Sequence, residues 1–146
     1  MPTLAQIIAD QRPYLQALTD VQASSRPGPE VWSAKQILGH LIDSGVNNHP
    51  RFVRVAAEDG LSLPGYDQNA WVAAGGYQER PWADVLGLWV AYQTQIAHVI
   101  DGLPAASLDH TLSLGGGDPV TLRHVADDYV RHQLHHLAQI PARVTP

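Results

Sequence analysis

The chain has 146 residues, eight of them histidine and none cysteine, and a formal net charge of -5 with histidine counted neutral. That length suits one domain, spanning 1–146, with enough chain to bury a core without staples. The missing cysteines exclude disulfides, thiolate metal sites and a protein-borne nucleophilic thiol, so a bound metal must be held by nitrogen and oxygen. The acidic balance offers no basic stripe for nucleic acid and disfavours anionic membrane surfaces. No signal peptide and no run of eighteen apolar residues is visible, which makes the cytoplasm the expected location.

From Thr3 to about Val21, apolar residues at Leu4, Ile7, Ile8, Leu15, Leu18 and Val21 fall three and four apart, the stripe of a first helix. Pro13 removes one backbone donor inside it and predicts a kink or a fresh start there. Ser24 to Pro29 is turn by composition. Ser33-Ala-Lys-Gln36 has the spacing of a capping box and predicts the start of helix 2, whose apolar face carries Ile37, Leu38, Leu41, Ile42, Val46, Phe52 and Val53 and which runs past Arg54.

Asp59 to Arg80 is too long for an ordinary helix connection, and such crossovers are often functional. Pro81 opens helix 3, whose stripe of Val85, Trp89, Tyr92, Ile96, Val99 and Leu103 alternates strictly by four and three. Leu103-Pro104 ends it, and a second long crossover runs through Gly115-Gly116-Gly117-Asp118-Pro119, with a short extended piece expected at His110 to Leu114. Helix 4 follows from Thr121 and stops before Pro141. Four helices, two long crossovers and no long strand pattern predict an all-α four-helix bundle.

In helix 4, Val125, Tyr129, His132, His136 and Ile140 share one face, so two histidines one turn apart sit within an apolar stripe. Such a pair can reach a single ion, as in metalloproteases, but position 133 is Gln and the His-Glu-x-x-His signature with its built-in base is absent. His40 lies at or near the buried face of helix 2, from where a third ligand can come. Three nitrogens from two helices would leave positions open for water or substrate, as catalytic sites do. The alternative is plain packing, since an isolated histidine on an apolar face is usually a packed residue. Asp43, three residues after His40, and Asp128, one turn before His132, are the carboxylates placed to orient a ligand ring. Both positions also suit ordinary surface acids. His135 points about 100° away from His136 and is left out of the set. Trp71, with Tyr66 and Tyr77, either lines the cleft above the site or anchors its crossover.

The run Val31-Trp32-Ser33-Ala34-Lys35-Gln36-Ile37-Leu38-Gly39-His40-Leu41 resembles the second-helix signature of the DinB-like superfamily, and His132-Gln133-Leu134-His135-His136-Leu137-Ala138-Gln139-Ile140 resembles its last helix. Thr121-Leu122-Arg123 and Trp71 have counterparts too, so the resemblance spans nearly the whole chain. Carried over, it makes His40, His132 and His136 the ligands of a divalent metal, zinc or nickel by preference. It also implies a metal-dependent enzyme acting on a small molecule. The activity expected is a transferase using a low-molecular-weight thiol, which this cysteine-free chain would take from outside; a metal-dependent hydrolase or a non-catalytic ligand-binding bundle are the alternatives. Val130, Leu134 and Leu137 give helix 4 a second apolar face, which asks for a second neighbour within the chain or across a homodimer.

Overall fold

Thr3, Thr19 and Ser33 each accept a hydrogen bond from the backbone of a glutamine three residues on, and that glutamine's side chain accepts from the capping residue's own N–H. These three reciprocal boxes start the first three helices of a computed structural model, which describes residues 1–144. Helix α1 covers Leu4–Ala17, α2 Asp20–Ser24 and α3 Ala34–Ala57. After β1 (Leu61–Leu63) come the short α4 (Gln68–Gly75), a 3-10 turn at Tyr77–Glu79 and α5 (Trp82–Asp101). A second 3-10 turn at Ala105–Asp109 leads into β2 (Thr111–Leu114), β3 (Val120–Thr121), α6 (Leu122–Leu137) and α7 (Ile140–Val144).

The four long helices form the bundle: α3 packs on both α5 and α6, and α1 on α5. The core is continuous, with Leu15, Ile37, Leu41, Phe52, Trp89, Ile96 and Leu122 inaccessible to solvent. Both crossovers are more ordered than their composition suggests. β1 pairs in parallel with β2, Leu61 opposite Leu112, and β2 pairs antiparallel with β3, so a small three-stranded sheet ties the two crossovers together. The extended piece expected near Leu112 is its central strand. No helix among the described residues is long and apolar enough to cross a membrane.

Two expectations need correcting. The first helix does not break at Pro13, which lies inside α1 on the solvent side, as does Ala9, whose carbonyl loses its amide partner. The restart comes instead at Thr19, where the second capping box supplies a competing helix start. Asp20 then accepts from Trp82 N–H at 2.8 Å and meets Lys35 Nζ at 3.0 Å, which holds α2 across the bundle and leaves Val21 exposed. On α3, Val46 and Val53 face solvent while Val55 is buried, because the stripe follows His40, Ser44, Asn48, Phe52 and Val55. The second apolar face of helix 4 finds its neighbour within the chain, one of the two arrangements expected for it, Val130 and Leu137 being buried and Leu134 packed against the core.

Candidate metal centre

Ser33 fixes where α3 begins, and two turns later His40 points inward with no accessible surface. On α6, whose start is set by Thr121 accepting from His124 N–H, His132 and His136 face the same place one turn apart. The three rings gather edge to face, with centroids 4.9 Å apart for His40 and His132, 4.6 Å for His40 and His136, and 4.5 Å for His132 and His136. One ring nitrogen from each lies within 4.8 Å of the others. His40 Nε2 and His132 Nε2 are 3.1 Å apart. Two ligands each about 2.0–2.1 Å from a common ion stand about 3 to 3.4 Å apart, so this pair already has the spacing of a shared divalent ion.

The electrostatics suit a metal. Burial, then the neighbouring imidazoles, pushes His40 down to about 3; burial and His136 push His132 down to about 4; burial lowers His136 as well. All three rings are therefore neutral at pH 7, the form that offers a lone pair. His136 Nδ1 is 3.1 Å from Gln139 Oε1, which makes Nδ1 the protonated nitrogen and leaves Nε2 free to ligate. Nδ1 of His40 and of His132 is buried without a protein partner. Trp32 covers the cluster, its ring centroid 5.0 Å from that of His40.

Asp43 is buried, but its Oδ1 accepts from the Tyr77 hydroxyl at 2.6 Å and neither oxygen bonds an imidazole. Asp128 stays exposed, 3.9 Å from Arg131, and reaches His132 only through its field, which works against the lowering of that ring's pKa. Tyr77 lies under α3 because residue 39 is glycine: a Cβ there would fall 2.1 Å from the tyrosine ring. Trp71 is 39% exposed and rests edge-on against Tyr66, 5.8 Å between ring centroids. Tyr66, not Trp71, lines the cavity beside the histidines. That cavity, about 390 Å³, runs between α3 and α6 from His132 past Ser44 and Tyr129 to Arg51 and Val120. A larger hollow of about 610 Å³ lies against α1 and α5, far from the histidines in the bundle. Gln133 is buried and accepts from Trp89 Nε1 at 3.2 Å, so the position a protease would fill with its base faces the core. Gln139 and Trp32 are the participants that spacing alone did not single out; the i, i+3 relation of Gln139 to His136 was the available signal.

The DinB superfamily model matches residues 3–140. The chain belongs to the DinB superfamily. Two relatives bear provisional names as metal-dependent hydrolases. BH0277 of Halalkalibacterium halodurans is 26% identical over 109 residues, 75% of this chain, and YfiT of Bacillus subtilis is 25% identical over 142 residues, 94% of this chain. The matched part spans 63% of the first relative, less than two thirds of its length, and 78% of the second. The solved YfiT structure, described as a four-helix bundle of unusual topology, superposes with a TM-score of 0.82 at 22% identity, covering 95% of this chain and 80% of that one. The same bundle therefore underlies both proteins.

A pH dependence follows for the metal-free chain. The three histidines have native pKa values below the ordinary 6.5, so the unfolded chain binds more protons below that pH. Stability is complete above about pH 6.5 and falls as pH drops toward 4 and then 3; Asp43, raised by burial, acts in the opposite sense. Urea unfolding is expected to lose about 2 kcal/mol or more between pH 7 and pH 5, since each pKa unit is worth about 1.4 kcal/mol. A flat profile over that interval would mean that the rings titrate freely and are not held as a desolvated cluster.

Proposed function

We propose that this chain is a metal-dependent enzyme that holds one divalent ion, zinc or nickel by preference, on His40, His132 and His136 and acts on a small molecule bound in the adjoining cavity. The observation that carries this reading is the convergence of three neutral imidazoles from two helices, one buried and two half-buried, with two of them already 3.1 Å apart, beside a cavity of about 390 Å³. Bound there, the ion would keep coordination positions open and lower the pKa of a water or a thiol in reach.

The protein's own contributions are positional. Gln139 holds the His136 tautomer. Trp32 and the core keep His40 dry, and the Tyr129 hydroxyl, bonded to Gln93, stiffens the cavity wall one turn before His132. Asp128 and His124 stand on the same wall as His132 and are the groups placed to accept or return a proton. Hydrolysis is the reaction we favour, consistent with the provisional names of the two relatives. Transfer of an external low-molecular-weight thiol to an electrophile is the second reading: an open position on the ion could bind the thiol, and the cavity of about 390 Å³ could admit it.

The test is a screen of the zinc- or nickel-loaded protein against ester, amide and epoxide substrates, with and without added thiol, repeated after chelation and with His132→Ala. Turnover that chelation removes and metal restores supports the enzyme, and its dependence on thiol separates the two reactions. Turnover indifferent to both chelator and variant would sink the metal site as its origin.

A further inference from the structure

Arg51 closes the far end of the same cavity. It stands on α3 beyond Ser44 and Asn48, on the side that carries His40, about 16 Å along the helix axis at 1.5 Å per residue. Its guanidinium is partly buried, and burial lowers its pKa. Nη1 donates to Asn48 Oδ1 at 3.2 Å and Nη2 to the Pro64 carbonyl at 3.1 Å. Both acceptors are neutral, and among the described residues no carboxylate comes within ion-pair distance. Asp118 and Asp128 border the cavity but are exposed, and Asp128 faces Arg131 instead. A guanidinium has five N–H groups in a planar fork, of which two are engaged here. A partly desolvated cation with only neutral partners is costly, and an anion arriving in the cavity would relieve that cost.

We propose that Arg51 receives a carboxylate of the substrate, so that the site takes elongated, carboxylate-bearing small molecules whose reacting group lies at the histidines. The inference rests on the metal-site reading for the position of the reacting end, while the anchor itself depends only on Arg51 and the cavity. Arg51 also pins Pro64 at the end of β1, and a purely structural arginine would affect charged and uncharged ligands alike.

The experiment is calorimetric titration of the zinc-treated protein, with zinc content measured, using suberate monohydroxamate, its carboxyl methyl ester and 7-phosphonoheptanohydroxamate on the parent, Arg51→Gln and Arg51→Lys. The carboxylate-bearing hydroxamate is expected to bind about 10- to 100-fold more tightly than its methyl ester to the parent, the range of a charge-assisted fork. That ratio should collapse toward one in Arg51→Gln and survive in part in Arg51→Lys. A ratio near one in a zinc-loaded parent, no binding of either compound, or equal losses for both compounds in Arg51→Gln overturns the anchor and leaves the metal reading standing. An Arg51-dependent ratio in protein that takes up no zinc keeps the anchor and removes the metal. Tighter binding of the phosphonate than of the carboxylate-bearing hydroxamate overturns the carboxylate assignment.

Discussion

Replacing His40 with alanine is expected to strip the protein of tightly bound divalent metal, where the parent is expected to hold about one ion per chain. The reason lies in how the ligands are distributed. α6 supplies two imidazoles one turn apart, and such a pair alone still binds a divalent ion, but weakly; α3 supplies the single nitrogen that turns a surface-type pair into an enclosed triad. Losing an outer-shell partner typically costs 10- to 100-fold in metal affinity, so losing a ligand should exceed about 100-fold. Plasma mass spectrometry after dialysis, with a competing chelator to fix the affinity, measures it, and circular dichroism shows whether the bundle persists. Unchanged metal content in a folded variant would exclude His40 from the ligand set. The cysteine-free composition makes the result easy to interpret, because no thiolate can substitute for the missing ring.

The second large effect is expected one residue earlier. Gly39→Ala sets a methyl group 2.1 to 2.6 Å from three atoms of the Tyr77 ring. The ring has little room to retreat: its hydroxyl is held by Asp43 at 2.6 Å, and its other side packs on Gly75, where a Cβ would also fall 2.6 Å away. Overpacking in a filled core costs about 1–3 kcal/mol and occasionally more. Displacing Tyr77 would also strip Asp43 of its donor in a buried position, a further cost of about 1–3 kcal/mol. We expect Gly39→Ala to lose about 3 kcal/mol or more in urea unfolding, and Tyr77→Ala in the same background to recover part of it by emptying the space. Full stability in Gly39→Ala alone would show that Tyr77 can leave without consequence.

Much of this protein was legible before any coordinates, for physical reasons that differ by element. The α5 stripe and the α6 histidine face repeat at helical spacing, and amphipathic periodicity reports burial directly: Val85, Trp89 and Ile96 are buried as read. Ser33-x-x-Gln36 located the start of α3 because a capping box is local chemistry, closed within four residues. What stayed hidden was set by distant partners. Nothing local tells that Leu61 pairs with Leu112, since a parallel bridge between two crossovers depends on the packed bundle to bring them together. Thr19-x-x-Gln22 carries the same box as Ser33, but it begins a helix of only five residues, too short to show a periodic apolar stripe. Spacing puts Asp43 about one turn from His40, where it could orient the ring, but cannot show that Tyr77, 34 residues further on, occupies its oxygen instead. Gln139 was passed over because the local signal, an amide three residues after a histidine, is common on helices without any metal.

The capping box at Ser33 also sets a limit on how the length of this chain can vary. Ser33 and His40 are separated by two helical turns, so the cap that starts α3 also sets the angle at which His40 faces α6. One residue inserted between them would rotate His40 by about 100°, out of reach of His132 and toward other neighbours, although every side chain and the hydrophobic content were kept. The crossovers carry no such constraint, because loop closure changes only slowly with length. Insertions and deletions are therefore tolerable around Gly116 and intolerable in the seven residues that follow Ser33, where helix phase ties the local start signal to the chemistry.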